Sequence, residues 1–377
     1  MRKKYLVTGF CILFIMNVYG QEYLFPVKRN DKWGYINSMG KIVINFEFDE
    51  SYEFSEGLAV IKANNKYGFI NKKGKMIIAP QFDFINSFSE GLAAVKLDNK
   101  WGFIDKHGKI KIPLKLDECS DFHNSLAKVK YKGYWNYITN DGKFLLKEKY
   151  DFVGAFSEGL ASVCQNNLYG YINRKGNLMI PLLYEYAATF SEGLASVRQN
   201  NLYGYINING KVVIPPNYQE AENFQNGIAI VKLDTSWVSK VRHLMIDSLG
   251  NVLKEFDYES VYTSRWLGNK TVFIVTKHNK KGVINRKGES LIEMVYDAIN
   301  VSEDSDLVLV RKNEKFGFVN KKGGVVIEPK FEFCRNFKNG LAAIYENWLP
   351  FDIFNIGSVV KKGYINKKGT IIWVPTN

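Results

Sequence analysis

The chain repeats one short string of residues ten times, in clear or degraded form, and this repetition constrains its fold more than any other feature. The string is an aromatic residue, glycine, a second aromatic residue, isoleucine and asparagine, as in Trp33 to Asn37. The first five steps between copies are equal in length, and a second glycine follows the first glycine position after six residues in every copy. Repetition at this spacing predicts similar structural units that pack on one another. The first glycine position recurs at residues 34, 68, 102, 136, 170, 204, 244, 282, 317 and 363.

The glycines and tryptophans of the string are predicted to be structural. A glycine that closes a turn adopts a positive φ at which a side chain would clash, and a glycine inside a strand indicates a close backbone approach. The positions predicted in this way are Trp33, Gly34, Gly40, Gly68, Gly74, Trp101, Gly102, Gly108, Gly170, Gly176, Gly204, Gly210, Gly317 and Gly323.

Each unit is predicted to form three short antiparallel strands, as the third copy shows. Leu92 to Leu97 and Trp101 to Asp105 are short apolar runs with a turn at residues 98–100 between them. A second turn closes at Gly108, and the third strand runs from Lys109 to Ile112. Glycine and proline recur too often for a long helix, and no helical apolar period is sustained.

One such unit cannot bury its apolar face alone, so stacking on its neighbours must complete the core. We therefore expect an all-β tandem array of about ten three-stranded antiparallel units, arranged as an open superhelical or solenoid stack. A closed, propeller-like ring is the alternative. Ten blades exceed the roughly four to eight of most propellers, and the uneven later spacings favour the open form.

A second string precedes the first in many copies. It reads Phe-Ser-Glu-Gly-Leu-Ala from Phe54, and it recurs from Phe88, Phe156 and Phe190. The small alanine indicates tight contact between neighbouring units.

Together the two strings resemble the WG repeat family, proteins built from Trp-Gly-containing β repeats, over nearly the whole chain. The resemblance implies a β-rich array in a bacterial protein without an assigned chemistry. The family carries no catalytic residues that could be transferred to this sequence.

Residues 1–20 have the three parts of a secretory signal peptide. Arg2 to Lys4 form a basic head, Tyr5 to Val18 are mostly apolar, and the small Gly20 follows. The apolar run is shorter than the ~20 residues that span a bilayer, so cleavage near Gly20 is favoured over an anchor. We expect a secreted or periplasmic protein, including one held at the cell surface, without a transmembrane span in the mature chain. The predicted organisation is a signal peptide at 1–20, regular repeats 1–6 at 21–232 and diverged repeats 7–10 with loop insertions at 233–377.

An acid follows most copies, one residue after an aromatic residue or leucine that lies fourteen residues beyond the first glycine position. One acid per repeat supplies few ligands for Ca²⁺, which takes roughly six to eight oxygens, so turn capping or pairing with a neighbouring lysine is expected. These acids are Asp49, Asp83, Asp117, Asp151, Glu185, Glu259, Asp297 and Glu332.

Little in the sequence points to catalysis. The chain has only four histidines and four cysteines, and each histidine occupies a repeat position, as a structural residue would. No serine-nucleophile, zinc-protease or phosphate-loop motif is present. We expect no catalytic residue, no cofactor and no metal ion.

Pairs of basic residues occupy six of the ten turns before the second glycine. In a stacked array these turns line one edge, and the 51 Lys and Arg against 38 Asp and Glu leave a net charge of +13. The edge could contact an anionic glycan, lipid headgroups or nucleic acid. A solvated surface that discourages strand pairing is the favoured interpretation. The predicted contact residues on this edge are Lys72, Lys73, Arg174, Lys175, Arg286, Lys287, Lys321 and Lys322.

Two insertions in the later repeats, and the irregular stretch between them, carry aromatic candidates. Extra residues in repeat proteins map to loops, often on the binding face, although they also form caps over a terminal repeat. Aromatic side chains in such loops stack on sugars or anchor a protein partner. The candidates are Trp237, Trp266, Trp348, Phe351 and Phe354.

These features favour a non-enzymatic binding or scaffold protein of the bacterial cell envelope, in contact with a protein or an envelope glycan. A glycan-processing enzyme and an anionic-polymer binder are the alternatives. Nucleic acid is an improbable partner because the chain carries an export signal.

Overall fold

Each copy of the repeat folds into its own small antiparallel sheet. A computed structural model describes residues 23–233, 242–266, 270–302, 305–346 and 361–374. Within these ranges the chain forms 38 strands in ten sheets and no helix.

The sheets are numbered in chain order. Sheets 1 to 5 contain β1 (Phe25–Arg29), β2 (Lys32–Ile36), β3 (Ile42–Phe48); β4 (Glu50–Ser55), β5 (Leu58–Ala63), β6 (Lys66–Asn71), β7 (Met76–Phe82); β8 (Phe84–Ile85), β9 (Leu92–Leu97), β10 (Lys100–Asp105), β11 (Ile110–Leu116); β12 (Glu118–Cys119), β13 (Leu126–Tyr131), β14 (Tyr134–Thr139); and β15 (Phe152–Val153), β16 (Leu160–Gln165), β17 (Leu168–Asn173), β18 (Leu178–Tyr184). Sheets 6 to 10 contain β19 (Tyr186–Ala187), β20 (Leu194–Gln199), β21 (Leu202–Asn207), β22 (Val212–Tyr218); β23 (Glu220–Ala221), β24 (Ile228–Leu233), β25 (Arg242–Asp247), β26 (Val252–Phe256); β27 (Ser260–Trp266), β28 (Lys270–Lys277), β29 (Lys280–Ile284), β30 (Ser290–Tyr296); β31 (Ala298–Asn300), β32 (Leu307–Lys312), β33 (Lys315–Asn320), β34 (Val325–Phe331); and β35 (Phe333–Cys334), β36 (Leu341–Glu346), β37 (Lys361–Asn366), β38 (Ile371–Trp373).

Strands that follow one another in the chain are neighbours in each sheet, which makes every sheet a simple meander. In sheet 3 the predicted strands are present as β9, β10 and β11, but the short β8 pairs with β9 as an additional first strand. Eight of the ten described sheets have four strands. The prediction of three-stranded units is therefore wrong, because it missed the short first strand. In the described residues, sheet 1 comprises only the second to fourth strand positions, and sheet 4 only the first three.

Tight turns set the register of the sheets. The hairpin between the second and third strands turns on two residues with positive φ, such as Asn64 at 52° and Asn65 at 60°. Positive φ at both positions defines a type I′ turn, whose twist matches that of the flanking strands and which favours asparagine. The predicted turn glycines before the fourth strand also have positive φ, as Gly74 (78°) and Gly108 (82°) show.

The glycine inside the third strand is required by a bulge in the fourth strand. In sheet 3, Trp101 pairs with Leu116 and Phe103 pairs with Ile112, so the fourth strand has two more residues in this interval. A Cβ atom on Gly102 would lie 2.5 Å from the carbonyl oxygen of Ile112. The predicted close backbone approach is therefore confirmed.

The core lies between successive sheets. The phenylalanine of each Phe-Ser-Glu-Gly string packs on the second aromatic residue of the preceding sheet, as in the ring pairs Phe69–Phe88 at 4.5 Å and Phe103–Phe122 at 4.8 Å. These rings are buried, and each core cluster draws side chains from two adjacent sheets. Stacking therefore completes the core, as predicted.

The array closes into a ring. The turn of each sheet packs on the fourth strand of the preceding sheet, and Gly40 of sheet 1 makes this same contact with Ile372 of sheet 10. Phe25 packs on Tyr364 with ring centroids 5.3 Å apart, and the Tyr364 hydroxyl donates to the carbonyl oxygen of Pro26 at 3.1 Å. The predicted open stack is wrong, and its alternative, the closed propeller-like ring, is confirmed.

The uneven late spacings do not disturb this ring because the insertions fall inside hairpins. Leu233 still pairs with Arg242 across the insertion in sheet 7, and Glu346 pairs with Lys361 across the insertion in sheet 10. Both insertions therefore start and end at paired strand ends.

Candidate functional site

The predicted acids connect neighbouring sheets along one edge of the ring, here called the acid-ladder edge. Asp83 lies between β7 of sheet 2 and β8 of sheet 3. Its carboxylate accepts a hydrogen bond from the Lys66 ammonium at 2.6 Å, and another from the backbone N–H of Asp98 at 2.9 Å. Each acid of this kind therefore ties the hairpin turn of one sheet to the turn of the next.

This pairing recurs at a constant spacing along the chain, as in Lys32 with Asp49 and Lys100 with Asp117. The lysine hydrogen bond in each pair lowers the pKa of the carboxyl group below its ordinary value, with the turn N–H adding to the effect. The prediction of turn capping and lysine pairing is confirmed for these acids.

The opposite edge, here called the basic edge, is held together by the Phe-Ser-Glu-Gly strings. The Ser55 hydroxyl donates to the carbonyl oxygen of Phe88 in the next sheet at 2.7 Å. The Glu56 carboxylate accepts a hydrogen bond from the N–H of Gly91 at 3.0 Å and forms an ion pair with Lys106 at 3.1 Å. Acids therefore alternate with bases on this edge.

Most of the predicted basic contact residues lie in the turns of this edge and divide into two kinds. The first member of a pair contacts the preceding sheet: the Arg174 guanidinium donates to the carbonyl oxygen of Asn124, and Arg286 donates to that of Asn226 at 3.1 Å. The second members are exposed to solvent and comprise Lys73, Lys175, Lys287 and Lys322. Lys72 and Lys321, the other two first members, are half-buried. Ligand binding by this edge stays a prediction.

Among the aromatic candidates, the structure describes Trp266 alone. Trp237, Trp348, Phe351 and Phe354 lie outside the described residues, and Trp266 is the last residue of β27. The paired strand ends Leu233–Arg242 and Glu346–Lys361, which flank the two insertions, lie on the acid-ladder edge, as the two-residue hairpins of other sheets do.

A pocket of about 310 Å³ opens on the acid-ladder edge in sheet 4, which the sequence analysis did not single out. It lies between the β13–β14 hairpin and the segment that follows β14. Aromatic and basic side chains dominate its lining, which consists of Tyr131, Lys132, Tyr134, Trp135, Asn136, Phe144, Leu146, Lys147, Glu148 and Lys149.

The pocket exists because Asn136 occupies the position of the strand glycine. Its amide nitrogen donates to the carbonyl oxygen of Leu146 at 2.8 Å, and its amide oxygen accepts from the N–H of Leu146 at 2.9 Å. The side chain thus stands between β14 and the chain that would form a fourth strand. Only isolated bridges, Trp135 with Tyr150 and Ile138 with Phe144, remain on either side. The N–H of Leu145 still donates to the carbonyl oxygen of Tyr137 at 2.9 Å, and residues 147–149 separate from the sheet.

Ammonium groups cover the aromatic faces of this pocket. Lys149 lies 4.8 Å from the Tyr134 ring centroid, and Lys115 lies 5.8 Å from the rings of both Tyr131 and Phe144. Tyr131 and Phe144 also stack on each other at 5.4 Å. Aromatic rings hold cations in this way through their negative faces. The pocket therefore presents positive charge over an apolar floor.

A line of partly exposed aromatic rings, here called the aromatic belt, leads from this pocket across sheets 5 and 6. The Lys128 ammonium lies 6.0 Å from the rings of both Trp135 and Phe152. From there the centroid distances are 6.1 Å for Phe152 to Tyr169, 6.1 Å for Tyr169 to Tyr186 and 5.8 Å for Tyr186 to Tyr203. Phe152 and Tyr186 are 40% and 42% exposed. Trp135, Tyr169 and Tyr203 occupy the first aromatic position of their strings, which was interpreted as structural only. Phe152 and Tyr186 directly follow two of the predicted acids and were not singled out.

Neither a metal centre nor a reactive thiol emerges in the part of the chain that the structure describes. There, no group of three or more His, Cys, Asp or Glu side chains could hold a metal ion. Cys119, Cys164 and Cys334 are free, and burial raises the pKa of the Cys119 and Cys334 thiols to about 12. The same residues include no helix with the length and hydrophobicity that a bilayer crossing requires.

A closed ring of ten meander sheets, each packed on the next, defines a ten-bladed β-propeller. More than half of the sequence matches the family described as "WG containing repeat", and the chain belongs to that family. This confirms the resemblance drawn from the repeated strings. The eight matched segments are residues 33–67, 67–101, 101–135, 137–169, 169–203, 203–237, 282–316 and 316–347.

No curated protein matches the chain. Among solved structures it is similar to the crystal structure of the eukaryotic initiation factor, with a TM-score of 0.54, 8% identity, and coverage of 93% of this chain and 95% of that chain. Hsv2 of Kluyveromyces lactis matches with a TM-score of 0.33 and 12% identity, over 63% of this chain and 94% of that chain. Because the identity to the initiation factor is so low, that likeness concerns the fold alone.

Proposed function

We propose that the chain is an exported, non-enzymatic binding protein that holds a partner of the bacterial cell envelope on the acid-ladder edge of its ring. The observation that carries this proposal is the aromatic belt with the pocket at its end. Exposed aromatic rings in a row supply apolar contact area at a low cost in conformational entropy. The lysines beside them supply charge that steers an anionic partner.

A glycan is the favoured partner, and a protein is the second. The belt is a single line of rings spaced about 6 Å apart, which suits an extended chain whose successive units each lie on a ring. A protein interface would use a broad apolar centre with a polar rim. The acids of the ladder are already committed to lysines and turns, so they add rigidity to the surface and offer little to a substrate.

Export is part of the proposal and has its own test. The chain would be expressed in a bacterial host with residues 1–20 included, and the mature protein recovered from the periplasm or medium. Intact mass spectrometry is expected to show a chain that begins at Gln21. Retention of the full chain in the cytoplasm would contradict the assignment.

Binding would be tested with the purified mature chain on insoluble envelope glycans and on a soluble glycan array. We expect retention on the glycans, and a loss of about tenfold in affinity for Phe152→Ala combined with Tyr186→Ala, because both rings are partly exposed on the belt. Tyr262→Ala is the matched control, since Tyr262 is 51% exposed in sheet 8, away from the belt. Equal loss in both variants would refute the belt, and cleavage of a bound glycan would favour the glycan-processing alternative.

A further inference from the structure

We propose that the pocket of sheet 4 binds an acidic sugar residue, with its carboxylate held by lysines and its ring against the aromatic floor. The inference deepens the proposed function and rests on it, because it names the ligand class at one end of the belt. Three observations carry it: the charge of the rim, the covered faces of the aromatic rings, and the single residue that opens the pocket.

The rim charge favours a small anion. Lys132, Lys147 and Lys149 are exposed, and none of them has a carboxylate within 4.0 Å among the described residues. Elsewhere on this edge lysines are paired, as Lys130 is with Glu118 at 3.0 Å. Hydrogen bonds between an ammonium group and a carboxylate are shorter and about twice as strong as neutral ones.

The lining also contains a feature that selects for hydroxyl groups. Glu148 is the one acid that lines the pocket, and its exposed carboxylate accepts hydrogen bonds but repels a second negative charge. A sugar residue with one carboxylate and several hydroxyls satisfies both the lysines and Glu148, and digalacturonate supplies one such residue to the pocket with its second residue outside. A polyphosphate satisfies only the lysines.

The covered ring faces argue against a nucleotide. A nucleobase stacks on a free aromatic face. Here Tyr131 and Phe144 stack on each other with the Lys115 ammonium near both rings, and the Lys149 ammonium lies over the Tyr134 ring. A sugar needs only ring edges and the apolar floor, so it fits without displacing these cations.

Asn136 gives the experiment its central variant. Glycine at this position in most other sheets lets the fourth strand approach the third, so Asn136→Gly is expected to close the pocket while every lysine stays in the chain. Lys149→Met is the second variant, because it removes charge and leaves the opening. Lys312→Ala is the matched control, since Lys312 is exposed in sheet 9, far along the chain from the pocket.

Titration of the mature chain with digalacturonate, followed by the NMR signals of the tryptophan indoles, tests the proposal. Lactose is the uncharged control and adenosine monophosphate the nucleotide control. Digalacturonate is expected to bind at least tenfold more tightly than either, with affinity falling about tenfold in Asn136→Gly and in Lys149→Met and unchanged in Lys312→Ala. Equal binding of lactose, tighter binding of the nucleotide, or unchanged binding by both variants would overturn it. Asn136→Gly is expected to retain binding to insoluble glycans through the belt. Failure of the pocket proposal can therefore be distinguished from failure of the proposed function, in which the unmodified chain would not bind these glycans.

Discussion

Adding one methyl group at Gly102 should measurably destabilise the ring. The Cβ atom of Gly102→Ala would lie 2.5 Å from the carbonyl oxygen of Ile112, and 2.9 Å from the nitrogen of Leu114 and the carbonyl carbon of Pro113. Ordinary contact begins near 3.4 Å, so the bulged strand must retreat by about 0.9 Å. All of these neighbours are backbone atoms, which cannot rotate aside as a side chain would.

The cost follows from overpacking, which is worth about 1–3 kcal/mol and reaches the upper value where backbone must move. Unfolding entropy near 2.1 cal/mol/K per residue gives about 0.8 kcal/mol/K for this chain, so a loss of about 3 kcal/mol lowers Tm by about 4 °C. Thermal denaturation followed by circular dichroism would measure the difference.

Gly324→Ala is the matched control, because its Cβ would meet only the flexible Asn320 side chain and its φ is not positive. A shift below about 1 °C is expected there. If Gly102→Ala melted no differently from this control, the bulge would not be the reason for glycine at this position.

Two further predictions concern contacts between sheets. Tyr205→Phe should cost about 1 kcal/mol, because the buried hydroxyl donates to the carbonyl oxygen of Glu222 at 2.7 Å and that oxygen would lose its partner; urea denaturation would measure the change. Asp83→Asn should lower Tm at pH 7, because the Lys66 hydrogen bond holds the folded-state pKa of Asp83 below its ordinary value. A carboxyl group whose pKa is lowered by folding stabilises the folded state at pH values above its unfolded-state pKa of about 4. This stabilisation is lost as the pH falls through the folded-state pKa. The Tm difference should therefore shrink as the pH is lowered below about 4, and a difference that did not change with pH in this range would contradict the pairing.

Local chemistry made the strands and turns predictable. Asparagine pairs at hairpins, glycines at positive φ and short apolar runs act through residues close in sequence, so Leu92 to Leu97 and Trp101 to Asp105 were found at nearly the correct bounds. The two-residue strand β8 was not found, because a strand of that length has no periodicity to read. It is defined by the neighbour with which it pairs.

Ring closure could not be read from the sequence for a different reason. Whether ten sheets close depends on the small rotation between each pair, which accumulates around the array. No local sequence pattern predicts the size of this rotation. The contact of Gly40 with Ile372 joins residues from the two ends of the array, yet it repeats the contact that Gly74 makes with Ile44 in the adjacent sheet.

The candidate site was missed because a degraded repeat was interpreted as decay. The basic turns were found from charge alone, but charge does not reveal that Arg174 and Arg286 point to the backbone of the preceding sheet. Prediction of the pocket required two pieces of information: that a side chain occupies the glycine position, and that the segment opposite it does not pair as a strand. Only the first was visible, as Asn136.

Asn136 opens the pocket because its side chain coincides with a long separation between the paired residues on either side of it. In sheet 3 the first aromatic residue, Trp101, pairs with Leu116, and glycine accommodates the bulge that this long separation creates. Sheet 7 also lacks the glycine, but His243 pairs with Phe256, a partner two positions nearer in the chain. Leu244 there pairs directly with Glu255 without a bulge.

Sheet 4 combines the long separation of sheet 3 with a side chain, since Trp135 pairs with Tyr150 across Asn136. The segment that would form the fourth strand of sheet 4 therefore has extra residues that can neither pair with β14 nor form a bulge beside it. These residues separate from the sheet. Deletion of Glu148 and Lys149 should restore the spacing of sheet 7, allow continuous pairing beside Asn136 and remove the pocket. The N–H groups of Leu145 and Leu146 already donate hydrogen bonds, so amide hydrogen exchange would show the change as new protection at Lys147. Unchanged exchange at Lys147 would mean that the side chain alone holds the strand away.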